Sequence, residues 1–150
     1  MDIIATKHPS ERIMVFSETL ESIQRLKEML QLNKGIKSML INSKLNSKER
    51  QIILSEWGKG FFPLLSVHTL EIGYDVPEVR VAIILATTSN MNQIVQRIGR
   101  TIRKTAGKDT ALIYTIYLSH THDFSTLKMV RQATDVGPRV SGNNLDRYVL

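Results

Sequence analysis

Apolar positions along the chain fall into two alternating kinds of segment. Arg12 to Phe16 (RIMVF) is a short β-rich run, and in Ser17 to Leu32 the apolar Leu20, Ile23, Leu26, Met29 and Leu30 recur at helical spacing. That is the pattern of a strand feeding an amphipathic helix. Gly35 stands just past the helix as a C-cap, and Lys37 to Ile41 reads as a second strand. A second helix opens with Ser47 as its cap and Arg50 and Gln51 in its first turn. Ile52, Ile53 and Trp57 are expected to form its buried stripe, and Gly58 and Gly60 to end it. Phe62 to Val67 and Val79 to Leu85 are continuous apolar runs, as in strands buried on both faces. Asn90 to Ile102 carries Met91, Ile94, Val95 and Ile98 at helical spacing, Thr110 to Leu118 makes a fifth strand, and Asp123 to Ala133 a last helix.

This alternation predicts one α/β domain over residues 1–135, a mostly parallel sheet with helices on both faces and ligand sites in the loops at the carboxyl ends of its strands. From Val136 to Leu150 the periodicity dissolves into turn formers, and this stretch is expected to be a loose tail. With 150 residues, 42% of them hydrophobic, the chain can build a core without disulfides or structural metal, and the absence of cysteine excludes zinc fingers and disulfide scaffolds. The longest apolar stretches fall well short of the ~20 residues of a membrane-spanning helix, so no membrane partner is expected. The N-terminal MDIIATKHPSER lacks the form of a signal peptide, which makes an intracellular location, cytoplasmic or nuclear, the expectation. A net charge of +6 favours a polyanionic partner, although ordinary basic enzymes share it.

The densest chemistry lies in Gln93 to Arg103 (QIVQRIGRTIR). On a helix Arg100 and Arg103 share a face, Gln96 lies one turn earlier on it, and Gly99 removes a side chain beside them. Two guanidiniums displayed together suit fork-like hydrogen bonding to phosphate oxygens. A solvated basic face at a helix C-terminus is the plain alternative, and the glycine, the glutamine and the preceding strand weigh against it.

Gln96-Arg97-x-Gly99-Arg100-x-x-Arg103 resembles motif VI of superfamily 2 helicases and translocases. The resemblance implies a RecA-like α/β fold, with Arg100 and Arg103 as arginine fingers reaching the γ-phosphate of an ATP held mainly by a first RecA-like domain. It further implies that Gln96 senses the nucleotide state and that Arg97 braces the nucleotide interface. Upstream, Leu64 to Pro77, ending in Gly73-Tyr74-Asp75-Val76-Pro77, resembles motif V. There Gly73 permits close backbone approach, Asp75 offers a carboxylate suited to a ribose hydroxyl, and Ser66 or Thr69 is placed against a nucleic-acid phosphate. Ile13 to Thr19 looks like motif IV, with Ser17 suited either to a backbone phosphate or to capping the next helix. Ile41-Asn42-Ser43 followed by Ser47-x-Glu49-Arg50 and Trp57-x-x-Gly60 matches the family's next strand and helix, which makes Asn42 and Ser43 candidate strand contacts and gives Glu49 and Arg50 structural roles. Arg100-Thr101-Ile102-Arg103 and the GYDVP sequence lean toward XPB-type DNA-repair helicases and related DNA translocases, so DNA is favoured over RNA as the partner.

No G-x-x-x-x-G-K-[ST] loop and no Asp-Glu dipeptide occur in the sequence. Gly35-Ile36-Lys37-Ser38 has the wrong spacing, and Gly58-Lys59 and Gly107-Lys108 lack a following Ser or Thr. The implied function is therefore the second motor domain of an ATP-dependent DNA helicase or translocase, using ATP and Mg²⁺ only when a first domain is present in cis or in trans. A stand-alone binding or regulatory module with a helicase-like fold, and the motor segment of a restriction enzyme, are the alternatives. His120-x-His122-Asp123 reads as a polar turn and helix start, so no metal site is assigned, and Trp57, Tyr114 and Tyr117 read as core.

Overall fold

Four apolar residues in succession and a serine, Ile13–Ser17, form β1, which is buried along its whole length and flanked by strands on both sides. The computed structural model describes residues 3–60, 62–67, 79–85, 112–116, 138–142 and 145–149, the last two as backbone strands. After β1 come α1 (Leu20–Lys34), β2 (Met39–Ile41), α2 (Ser47–Gly58), β3 (Leu64–Val67), β4 (Val81–Ile84), β5 (Leu112–Ile116), β6 (Pro138–Gly142) and β7 (Leu145–Val149). The sheet runs in the order β2-β3-β1-β4-β5-β7-β6. β2, β3, β1, β4 and β5 are parallel, as the alternating pattern predicts, while β7 and β6 run antiparallel.

Crossovers between parallel strands of one sheet are right-handed as a rule. α1 carries the chain from β1 past β3 to β2, and α2 brings it back to β3, so the two helices cover opposite faces of the sheet. On the α1 face Ile23 and Leu30 pack with Ile13, Val15, Leu65, Val81, Ile83 and Tyr114. Leu54 and Trp57 of α2 are buried outside that cluster.

Local chemistry sets the helix ends. Thr19 caps α1, accepting the Ser22 N–H (3.3 Å), and Ser17 ends the strand before it. At the other end Gly35 takes φ +60°, a left-handed conformation suited to glycine, and the N–H groups of Gly35 and Ile36 return to the carbonyls of Gln31 and Leu30 (both 3.0 Å). The cap of α2 is Asn46 and not Ser47. Its Oδ1 accepts the Glu49 N–H (3.0 Å) and Glu49 Oε2 accepts the Asn46 N–H (2.8 Å), a reciprocal capping box. Asn46→Ala is expected to lower stability by about 1 kcal/mol in urea unfolding. A loss below about 0.3 kcal/mol would show that the box contributes nothing net.

Ile52 corrects the sequence reading of α2: it is 63% exposed, while Leu54 and Trp57 make the buried stripe. The stretch 136–150 corrects a second expectation. In place of a loose tail, its backbone supplies β6 and β7, with β7 pairing along the whole of β5 from Leu112↔Val149 to Ile116↔Leu145. A free β5 edge would leave a row of unpaired main-chain groups, and the returning pair satisfies them. A register shift between Pro138 and Val140 bends the outermost strand.

Candidate nucleic-acid and nucleotide interface

Parallel strands align their carboxyl ends, and the register gives this edge of the sheet a defined row. Ser17 pairs with Val67, Ile41 pairs with Ser66, and Ile84 with Phe16, so Asn42, Val67, Ser17 and Leu85 stand side by side across β2, β3, β1 and β4. With strands about 4.8 Å apart, Asn42 and Ser17 are separated by ~10 Å along the edge. Both α1 and α2 begin here. Their first N–H groups and the positive ends of their dipoles therefore lie beside the row, a field partly taken up by Glu21 and Glu49 in the first turns.

The candidate residues differ in what they offer at this edge. Ser43 is exposed and Asn42 half-buried. Asn42 Oδ1 accepts the Lys44 N–H (2.9 Å), which commits the amide oxygen to the turn and leaves the Nδ2 group to donate. Arg50 fixes the shape of this turn from α2, its Nη2 reaching the carbonyls of Asn42 (3.5 Å) and Ser43 (3.4 Å). Arg50 and Glu49 thus do structural work. Ser17 is 4% exposed, and its Oγ accepts the Thr19 N–H at 3.4 Å, a local turn that leads into the cap of α1. Ser66 is 0% exposed and lies on the opposite face of the sheet from Leu65 and the α1 cluster. Its side chain is inside the domain, not at the edge.

Thr69, Gly73, Asp75, Gln96, Arg97, Arg100 and Arg103 lie outside the described residues. The strands from which their segments depart, β3 and β4, both end in the row, at Val67 and Leu85. Thr19 and Asn46 escaped the sequence reading although each carries its signal: Asn46-x-x-Glu49 is the capping-box pattern, and Thr19 immediately precedes the helix.

Other polar features of the described residues belong to the opposite edge or the flank. The Lys59 ammonium, by hydrogen bond and by charge, holds the Glu56 carboxyl below the usual carboxylate range at the end of α2. Lys37 sits over the Phe62 ring, 5.2 Å from its centre, ahead of β2 and β3. A cleft of about 740 Å³ between α1 and β2, lined by Gln24, Lys27, Gln31, Leu32, Lys37 and Leu40, opens on the outer flank and not at the carboxyl edge. Among the described residues no group of His, Asp or Glu is arranged to hold a metal, and no helix is long and apolar enough to cross a membrane.

A parallel sheet, a helix on each face and hydroxyl and amide side chains in line at the carboxyl ends are joined by a sequence match: residues 1–105 fit the model of the Helicase conserved C-terminal domain. The chain belongs to that family. It is 31% identical over 128 residues to UvrABC system protein B of Mycoplasma mycoides subsp. mycoides, a match covering 81% of this chain and 19% of that protein. It is 27% identical over 131 residues to the DNA 3'-5' translocase XPB2 of Sulfurisphaera tokodaii, covering 86% of this chain and 28% of that one. Domain 2 of the DEAD-box helicase Mss116p, solved bound to an RNA duplex, superposes with a TM-score of 0.68 at 18% identity over 89% of this chain and 52% of that structure, a likeness of fold. The fold is thus the RecA-like α/β arrangement of superfamily 2 helicase C-terminal domains. The chain spans less than a third of the length of these two curated relatives.

Proposed function

We propose that this helicase C-terminal domain is the second motor domain of an ATP-dependent DNA helicase or translocase. It supplies arginine fingers and nucleic-acid backbone contacts while another domain holds ATP and Mg²⁺. The observation that carries the reading is the Gln96-Arg97-x-Gly99-Arg100-x-x-Arg103 cluster, inside the matched family region and on the segment that leaves β4 beside the carboxyl-end row.

In this reading Arg100 and Arg103 neutralise charge on the transferring phosphoryl group and Gln96 senses the nucleotide. Gly73, Asp75 and Arg97 complete the nucleotide contact. Asn42, Ser43, Ser17 and Thr69 hold the backbone of one strand. Buried as it is, Ser66 makes no phosphate contact of its own. Closure of the two domains on ATP and release after hydrolysis would then step these contacts along the polymer. The phosphate-cradling loop and the carboxylate pair for Mg²⁺ come from the other domain, in cis or in trans. DNA is favoured over RNA by the sequence GYDVP with RTIR and by the similarity to a DNA translocase.

The test is ATP turnover by this chain alone and by the chain joined to a first domain carrying a phosphate loop, each with DNA, with RNA and without polymer. Negligible turnover by the chain alone and DNA-stimulated turnover by the joined protein are expected. Binding should weaken steeply with added salt as counterions are released. Stimulation by RNA but not DNA would overturn the choice of polymer, and turnover by the isolated chain would overturn the division of labour.

A further inference from the structure

Ahead of β1 the chain makes a single turn of π-helix, Ile3–Lys7, and a turn through Pro9 and Ser10. The main-chain hydrogen bonds recorded here close on the segment itself: His8 N–H donates to the Ile3 carbonyl (3.1 Å) and Glu11 N–H to the His8 carbonyl (3.4 Å). Side chains tie the segment to the sheet. Ile3 and Ile4 enter the apolar cluster on the α1 face. Between them and β1, the His8 imidazole bridges Glu11 Oε2 (2.5 Å from Nδ1) and the Tyr114 hydroxyl of β5 (2.8 Å from Nε2), with the two rings edge to face. In the neutral imidazole Nδ1–H donates to the carboxylate and the tyrosine O–H donates to Nε2. Tyr114 is 1% exposed, so its hydroxyl sits where an unmade hydrogen bond is expensive. Arg12, the next residue along, is held from another side, its Nη2 donating to the Gly58 carbonyl at the end of α2 (2.7 Å).

We propose that residues 3–11 form a strap that opens as one unit about Arg12, with Glu11, His8 and Tyr114 as its latch. The attachment is small: two isoleucines and one side-chain relay, with no ladder of main-chain bonds to the strands among those described. Segments held in this way open at lower free energy than the core they lie on. Release would free nine residues, roughly 30 Å of extended chain. In a two-domain motor, the reading on which this consequence rests, that slack would set how far a domain joined ahead of the strap can swing.

Native-state hydrogen exchange on this chain tests the strap. Tyr114→Phe keeps the ring and removes the hydroxyl; amides in residues 3–11 are expected to exchange about tenfold faster while those of β1, β3, β4 and β5 keep their protection. Glu11→Gln leaves the imidazole in place and should give a smaller acceleration confined to the same amides. Unchanged protection in Tyr114→Phe overturns the latch. Loss of protection in step with the strands overturns the strap as a separate unit. Should Tyr114→Phe fail to fold, the same comparison in Glu11→Gln decides. The measurement uses neither nucleotide nor polymer, so its failure is distinct from failure of the turnover test.

Discussion

Arg100→Ala and Arg103→Ala, each made in the two-domain protein, are expected to lower kcat for ATP about 10³-fold or more while changing KM for ATP far less. The split follows from what a finger does. A guanidinium that meets the γ-phosphoryl group mainly as charge spreads over its oxygens stabilises the transition state more than the bound ground state, and only that difference appears in kcat. Lysine at either position keeps the charge and loses the planar fork, so partial activity is expected from Arg100→Lys and Arg103→Lys. Two arginines acting on one group, as proposed, would leave the double alanine variant little below the worse single one. Gln96→Ala should loosen the dependence of turnover on polymer more than it lowers the maximal rate. The decisive measurement is steady-state ATP hydrolysis at saturating DNA; rates within threefold of the parent in both alanine variants would remove the fingers from the mechanism.

Trp57→Ala is expected to be the most damaging single change in the described core, costing about 3–5 kcal/mol. Trp57 is 0% exposed, and its indole Nε1–H donates to the Phe62 carbonyl at 2.7 Å, joining α2 to the residue that leads into β3. Truncation removes the largest buried side chain of this helix and leaves that carbonyl without its donor, so cavity and hydrogen-bond losses add. For a domain of this size the melting temperature should drop by about 10 °C or more. Trp57→Phe retains much of the volume and should lose less than half as much. Differential scanning calorimetry reads both, and a fall of under 3 °C in the alanine variant would mean that α2 is dispensable to the core.

How far the sequence disclosed this molecule varies with the kind of signal. Long apolar periodicities were legible: α1 ends at Gly35 as the pattern requires, and the runs beginning near Arg12, Phe62 and Val79 are strands. Their ends were less so, because an apolar run records burial and not pairing. Phe62, Val79 and Leu85 belong to apolar runs but lie just outside the ladders. Ile52 misled for a related reason: hydrophobicity at helical spacing fits more than one face, and only the placement of Trp57 and Leu54 against the sheet picks the buried one. Asn46 and Ser47 compete on equal chemical terms for the cap of α2, and Glu49 three residues beyond Asn46 decides it. The strand order was not readable from periodicity at all. Nor was the pairing of Leu145–Val149 with β5, since a stretch of turn formers with two short β-formers gains its order from the open edge it meets. At the candidate site the residue types were legible, and their accessibility was not: β3 is covered on both faces, which buries Ser66, while the turn after β2 leaves Ser43 in solvent.

The two rims of the sheet share one further property. On one side β2 offers only three residues, and on the other β6 opens with a proline and carries a register shift. Neither rim presents a long, regular run of free amides and carbonyls to which a strand from another molecule could zip. Copies of this domain therefore have little means of fusing flank to flank through these strands.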